Sequence, residues 1–310
     1  MKILLSFLVL TLAAKADNDG LPKVKHMIDT HIHLYDTGRE KGVPWPPKDD
    51  TVLYKPHLPA EFKAVSQPSG LTGVVIVEAS DRPEDNNWVL DLVKDDDYFV
   101  ALVGNIDPYE PDFEKRLDKL RKDPRFVGIR LRNGRERKAI DYTDKKLLQS
   151  LRAVAKAGLS VDLLLNGAGT EGAKKADQLA RAIPELRIVI DHVVGYDFDG
   201  KAVPADWIAA VEKLGENQNV WCKISGLYQR SVPQPAPKKI SHYEEVLEIL
   251  WKNLGPDRLV YGSNWPCTKK SGDYTSYVKL VNRYFSKKGQ EASEKYFWKN
   301  AAEVYRLGLK

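Results

Sequence analysis

The feature that most constrains the fold is a regular alternation of short apolar runs with longer stretches of helical periodicity. The sequence contains β-rich runs at Met27–His33, Thr72–Glu78, Tyr98–Asn105, Phe126–Leu131, Leu159–Leu164, Arg187–Asp191, Asn219–Ile224 and Arg258–Tyr261. Helical segments follow at Glu84–Asp95, Asp112–Arg121, Asp144–Ala157, Gly172–Ala182, Ala205–Leu214, Tyr243–Asn253 and Tyr274–Phe285. Some runs, such as Val74–Val77, are continuously apolar, as strands buried on both faces are. The pattern predicts a parallel sheet with crossover helices.

The number of strands indicates how this sheet closes. Eight strands with helices between them are typical of a single (β/α)₈ barrel, which we predict over residues 21–310. The alternative is an open doubly wound sheet, but no Gly-rich phosphate-binding loop follows the first strand. Long loops at Leu34–Pro59, Val193–Pro204 and Tyr228–Ser241 follow strand ends, where barrel enzymes place substrate-binding segments.

The first residues have the pattern of an export signal. Lys2 precedes an apolar stretch too short to span a bilayer, and Ala14-Lys15-Ala16 has the small-x-small pattern of a cleavage site. We predict a signal peptide at residues 1–16, cleaved near Ala16, and export to the periplasm or the cell exterior. A buried N-terminal helix is the alternative. Cys222 and Cys267 are treated as ordinary small residues, with a disulfide between them as the alternative.

The charge distribution excludes some classes of partner. The net charge is only +5, acidic and basic residues are mixed, and no long basic run occurs. This composition gives no support to a nucleic-acid-binding or membrane-surface protein. We expect a small-molecule substrate, and the oligomeric state stays open.

The first strand carries the strongest candidate site. Asp29, His31 and His33 occur at every second position, so a strand would send all three side chains to one face, toward the barrel mouth. Two imidazoles there can hold a divalent metal or move protons. The alternative is that these histidines pack structurally or face solvent.

A further histidine follows an apolar strand. The pair Asp191-His192 lies where the catalytic face of a barrel would be. The other three histidines, His26, His57 and His242, lie before a strand, in a loop and at a helix start, and are given no role.

Two basic residues lie on strands that would line the barrel. Arg130 and Lys223 need an anionic partner or water there, because burying an unpaired charge is costly. They could bind a substrate carboxylate or polarise a carbonyl. The alternative is an internal ion pair with Glu78 or Asp162. Two more residues complete the predicted substrate-binding set: Glu78, at the end of the second strand, and Trp45, in the first long loop.

These motifs together resemble the amidohydrolase-related family, in particular its branch of sugar-lactone and pyrone-dicarboxylate lactonases. The matching stretches occur in the family's order over nearly the whole mature chain, at residues 28–33, 126–130, 158–164, 189–192, 222–227, 257–266 and 300–307. The resemblance implies the barrel fold and hydrolysis of a cyclic ester or related carbonyl compound.

The resemblance also implies roles for individual residues. It assigns catalytic or metal-binding roles to His31, His33 and His192, and substrate contacts to Arg130 and Lys223. Members of this branch differ in whether they use a metal. One divalent ion such as zinc, held by the three histidines, and operation without a metal therefore both stay open.

One position departs from the family's pattern. Asn264 stands where better-known lactonases have Asp, and an amide is neither a general base nor a good metal ligand. We predict that Asn264 positions the attacking water. No histidine ends the fifth strand, where Leu165-Asn166 stands instead. The main prediction is hydrolysis of a small oxygen-rich lactone. The alternatives are decarboxylation or amide hydrolysis on the same barrel, and a secreted binding protein without catalysis.

Overall fold

A computed structural model describes residues 20–132, 140–165 and 169–309 of the protein. Eight parallel strands form one sheet in sequential order. They are β1 Ile28–Ile32, β2 Gly73–Val77, β3 Phe99–Gly104, β4 Phe126–Arg132, β5 Ser160–Leu164, β6 Arg187–Ile190, β7 Val220–Ile224 and β8 Leu259–Tyr261.

The sheet closes just beyond β8. Ile32 forms a parallel bridge with Trp265. The backbone N–H of His33 donates to the carbonyl of Trp265 at 2.8 Å, and that of Asn264 donates to the carbonyl of His31 at 2.8 Å. The predicted barrel is confirmed, and the alternative of an open doubly wound sheet is wrong.

Helices surround the barrel. They are α1 Pro59–Ser66, α2 Glu84–Leu92, α3 Phe113–Leu120, α4 Lys145–Lys156, α5 Gly169–Ala182, α6 Ala205–Gly215, α7 Glu244–Leu254, α8 Tyr274–Phe285, α9 Gln290–Glu294 and α10 Asn300–Tyr305. The seven predicted helices are confirmed with small differences at their ends. Helices α1, α9 and α10 were not predicted.

Successive residues of a strand belong to two different cores. In β2, Val75 and Val77 pack with the side chains inside the barrel. Val74 and Ile76 pack in the larger layer between the barrel and its helices. Because neighbouring side chains of a strand point to opposite faces, both faces are buried. This double burial explains the continuously apolar strands.

The C-terminal segment closes the N-terminal end of the barrel. Trp298, Ala301, Val304 and Tyr305 pack against the inward-facing valines of the strands. The side-chain amide of Asn300 anchors this segment, donating to the carbonyls of residues 256 and 259 at 2.8 Å each. Helix α10 is therefore a plug at the end of the barrel opposite the mouth.

Three further points concern export, the cysteines and membrane-spanning helices. The predicted signal peptide, residues 1–16, lies outside the described residues, and export stays a prediction. Cys222 and Cys267 are both free thiols. Within the described ranges, none of the helices combines the length and the apolar character that a membrane crossing requires.

Candidate active site

Polar side chains from several strands meet at the C-terminal end of the barrel. His33 follows β1, Glu78 follows β2, Arg130 lies on β4, His192 follows β6 and Asn264 follows β8. Each residue keeps only 4–7% of its surface exposed. We call these five the mouth residues. They are predicted site residues that keep some exposed surface at this end of the barrel.

A second set of polar residues is completely enclosed. His31, Asp162, Asp191 and Lys223 come from β1, β5, the end of β6 and β7, and each is 0% exposed. We call these four the buried charge cluster. Since unpaired charges are costly in an interior, their mutual contacts decide their charge states.

Asp191 is the centre of the buried charge cluster. Its Oδ1 lies 3.2 Å from both His31 Nδ1 and Lys223 Nζ, and its Oδ2 accepts a hydrogen bond from Arg130 Nε at 2.9 Å. Burial alone would raise the pKa of Asp191, but the charge of Lys223, the contact with His31 and the charge of Arg130 hold that pKa well below its ordinary value. Asp191 is therefore an anion that links the buried cluster to the mouth.

The structure corrects the prediction that Lys223 contacts the substrate. Lys223 Nζ donates to Asp162 Oδ2 and lies 3.2 Å from Asp191 Oδ1 and 3.3 Å from His31 Nδ1. An ammonium has three N–H groups, and here three partners surround it. The side chain is 0% exposed and lies among these internal partners, away from the surface of the mouth. The alternative of an internal ion pair with Asp162 is confirmed.

Arg130 has more N–H donors than partners among the described residues. Its Nη2 lies 3.5 Å from His31 Nε2, and its Nη1 lies 3.7 Å from Glu78 Oε1. Glu78 itself is paired with Arg132, whose Nε donates at 2.6 Å. A guanidinium has five N–H donors, so Arg130 can also bind a carbonyl or carboxylate oxygen.

The tautomer of His33 follows from one hydrogen bond. His33 Nδ1 lies 2.9 Å from the carbonyl oxygen of Val77, which can only accept, so Nδ1 carries the proton. Nε2 therefore presents a lone pair. Burial, followed by the charge of Arg130, lowers the pKa of His33 to about 3. His33 is a neutral imidazole at ordinary pH.

A strained turn presents His192. His192, Val193 and Val194 have φ values of 53°, 50° and 56°, a left-handed run that branched residues rarely adopt. Ser225 Oγ lies 2.8 Å from Nδ1 of the imidazole. A Cβ at Gly226 would approach that Nδ1 to 3.0 Å, so the ring needs a glycine beside it. Burial lowers the pKa of His192 to about 3.

Asp29 does not face the mouth as the alternation predicts. The register of β1 on β2 shifts between Asp29 and Ile32. The carboxylate accepts from the backbone N–H groups of His31 and Ser263 at 3.0 and 2.9 Å, and from the Tyr274 hydroxyl on α8 at 3.0 Å. Asp29 thus joins the first and last strands.

Trp45 lies beside the mouth, in the loop after β1. Its ring meets the His33 ring edge-on, with 5.5 Å between centroids. A small cleft opens here, and its lining includes Trp45, Glu78, Arg39 and Trp88. Arg39 stacks on Trp88 at 4.4 Å and pairs with Asp85 at 2.7 Å. Trp45 is therefore placed to border a substrate bound at His33.

Comparison with known proteins identifies the family. The family model described as amidohydrolase matches residues 28–307. The chain belongs to the amidohydrolase family. Its similarity to an L-fucono-1,5-lactonase from Burkholderia ambifaria is 28% identity, covering 90% of this chain and 95% of that protein. A 2-pyrone-4,6-dicarboxylate hydrolase from Comamonas testosteroni is 24% identical over 77% of this chain and 76% of that protein.

Solved structures of this amidohydrolase's relatives share the barrel. An amidohydrolase from Burkholderia multivorans with bound zinc superposes with a TM-score of 0.80 at 22% identity, covering 91% of this chain and 99% of that one. Two decarboxylases share the fold at only 12% and 14% identity. The predicted family and the predicted enzyme class are confirmed, which argues against a binding protein without catalysis.

The residues present do not fit a divalent metal well. Ligand atoms of His31, Asp191 and His192 lie within 4.8 Å of one another. However, both ring nitrogens of His31 face cations, Lys223 at 3.3 Å and Arg130 at 3.5 Å. Both oxygens of Asp191 face Lys223 or Arg130 as well. A metal ion held here would be repelled by the positive charges of Lys223 and Arg130. A catalytic zinc site needs three protein ligands, but His31 and Asp191 are already engaged with these two cations.

Sequence reasoning did not assign a site role to several residues that the structure brings in. Asp191 was noted only as a neighbour of His192, and Asp162 only as a pairing alternative. Ser225 and Tyr305 had no assigned role, although both lie in stretches that match the family. Their contacts depend on side chains crossing the barrel, which no local pattern reveals.

The low pKa values of the mouth histidines predict loss of stability in acid. The unfolded chain binds protons at His33 and His192 below about pH 6.5, whereas the folded chain does not until about pH 3. Each histidine therefore removes stability as the pH falls through this window. Asp29 and Asp162, with pKa values raised to about 6 mainly by burial, partly offset this loss below pH 6.

Urea titrations at pH 7.5 and pH 5.0 isolate the contribution of one histidine. Between pH 7.5 and pH 5.0, the free energy of unfolding of the parent should fall by about 2 kcal/mol more than that of His33→Gln. Equal losses in the two proteins would show that His33 titrates normally in the fold.

Proposed function

We propose that this protein hydrolyses a small lactone of the sugar-acid type. The observation that carries the proposal is the pairing, at the mouth, of Arg130 with unused N–H donors and His33 with a fixed, unprotonated Nε2. The lactonase relatives support the substrate class. A cyclic ester needs a donor for its carbonyl oxygen and a base for the attacking water, and these two residues supply them.

The first step is attack of water on the lactone carbonyl. The carbonyl oxygen lies against Arg130, and His33 Nε2 accepts the proton of the water as its oxygen bonds to carbon. The positive charge of Arg130 contributes to the low pKa of His33. The oxyanion that develops beside Arg130 offsets that charge, so His33 becomes more basic as the proton moves.

The second step breaks the ring. The carbonyl re-forms as the ester C–O bond breaks, and the departing alkoxide takes the proton from His33. The product is an open-chain hydroxy acid. Among the residues that the structure describes, none contacts the side-chain amide of Asn264 by a hydrogen bond. That amide is free to orient the water, and His192, held by Ser225, can bind a substrate hydroxyl.

A lactone panel tests this proposal. The purified protein, dialysed against a chelator, is mixed with aldonolactones of different ring size, and acid release is followed with a pH indicator. We expect hydrolysis of at least one lactone and no stimulation by added zinc. Failure to open any lactone, or release of carbon dioxide from an unsaturated acid instead, would overturn the proposal. Dependence on zinc would overturn its metal-free mechanism.

A further inference from the structure

The plug helix α10 reaches the active site through one side chain. The Tyr305 hydroxyl donates to the carboxylate of Asp162, with 3.0 Å to Oδ1 and 3.1 Å to Oδ2. Tyr305 is 1% exposed and Asp162 is 0% exposed. Asp162 in turn accepts from Lys223 Nζ. The C-terminal helix therefore contacts the buried charge cluster directly.

The contacts continue from this cluster to the mouth. Lys223 lies 3.2 Å from Asp191 Oδ1, and Asp191 Oδ2 accepts from Arg130 Nε at 2.9 Å. Two cations and two anions alternate along this path, so the charges balance. If one member changes its charge or position, the next member along the path loses the partner that neutralises its charge.

The Tyr305 hydroxyl is one of the groups that help to keep Asp162 charged. Burial raises the pKa of Asp162 to about 6; the charge of Lys223 acts most strongly against that rise, and the hydrogen bonds from Lys223 and Tyr305 add to its effect. Without the hydroxyl, Asp162 would bind a proton more readily and hold Lys223 less strongly. Lys223 would then pair more closely with Asp191 and weaken the hold of Asp191 on Arg130.

We propose that Tyr305 is a positioning residue: through Asp162, Lys223 and Asp191, it holds the Arg130 guanidinium where the mouth needs it. Helix α10 is then a part of the active-site architecture as well as a plug. The inference rests on the proposed function only for its activity readout.

Replacement of Tyr305 with phenylalanine tests the proposal. It removes one oxygen and keeps the ring packed in the barrel. We expect kcat to fall about tenfold, the effect of losing a hydrogen bond to a charged group, with KM little changed. Tyr296→Phe is the matched control, because Tyr296 is equally buried and its hydroxyl donates to the Ile224 carbonyl at 3.3 Å, outside the charge path.

A double-mutant cycle with Asp162→Asn separates positioning from general damage. If Tyr305 acts through Asp162, the double variant should be no slower than Asp162→Asn alone. The proposal would be overturned if the double variant showed the combined kcat losses of the two single variants. It would also be overturned if Tyr305→Phe had the same kcat as Tyr296→Phe.

The same cycle measured by urea unfolding needs no substrate. If the parent opens no lactone, the proposed function fails, and the cycle still measures the coupling of Tyr305 to Asp162. Absence of that coupling would overturn the positioning role by itself.

Discussion

Replacement of Lys223 with methionine is expected to destabilise the folded protein by about 3–5 kcal/mol, the usual result of removing one partner of a buried ion pair. Asp162 and Asp191 would remain enclosed without their shared cation. Turnover should also fall at least about a hundredfold, since Asp191, left with Arg130 as its remaining cation, would draw the guanidinium away from the mouth. Urea titration and lactone assays on the same preparation measure both effects.

The accompanying double variant shows whether buried charge is the cause. Lys223→Met with Asp162→Asn removes one cation and one anion together, so part of the lost stability should return while turnover stays low. The exposed Lys252 provides a matched control, since Lys252→Met should change stability by less than about 0.5 kcal/mol. A Lys223→Met protein as stable as Lys252→Met would contradict the buried charge cluster.

Replacement of His33 with glutamine is expected to lower kcat by about 10²–10⁴-fold, the range attributed to a general base. Glutamine can still donate to the carbonyl of Val77, but it has no imidazole lone pair to accept a proton from water. KM should change little, because Arg130 is unaltered. Steady-state kinetics at pH 7.5 on any lactone that the parent opens measure the effect.

His242→Gln is the control for this substitution. His242 pairs with Ser231 at 3.2 Å on the 3₁₀ turn before α7, and its ring packs against Phe198 and Tyr243, so its loss should leave kcat unchanged. If His33→Gln keeps the parent kcat and His192→Gln loses it, the base is His192. If neither substitution affects kcat, the proposed mechanism is wrong.

The sequence was sufficient to predict the barrel and the positions of its strands. Doubly buried runs such as Val74–Val77 predict strands of a parallel sheet that is covered on both faces, and the number of such strands favours the barrel. Helix α1 was missed because it is short, follows a proline-rich loop and starts at Pro59. Helix α10 was missed because its apolar residues fill the barrel end and make no amphipathic stripe against the outer layer.

The sequence identified the charged residues and offered Glu78 or Asp162 as their ion-pair partners, but it did not specify which cation pairs with which anion, or that Asp191 takes part. Arg130 and Asp162 are register neighbours on β4 and β5. Yet Arg130 pairs with Asp191 after β6, and Lys223 on β7 pairs with Asp162 on β5. Long side chains reach past the adjacent strand inside a narrow barrel. Sequence spacing cannot specify such a choice, because it depends on the three-dimensional width of the interior.

The junction of β1 with the end of β8 also determines at which stage of folding the active site can form. Asp29 accepts from the backbone of Ser263, 234 positions later in the chain, and His33 and Asn264 lie on the two sides of this junction. Contacts between such distant segments are slow to form, because a large loop must first be closed. A refolding chain would regain helical content before the mouth assembles. The return of activity would therefore report closure of the barrel.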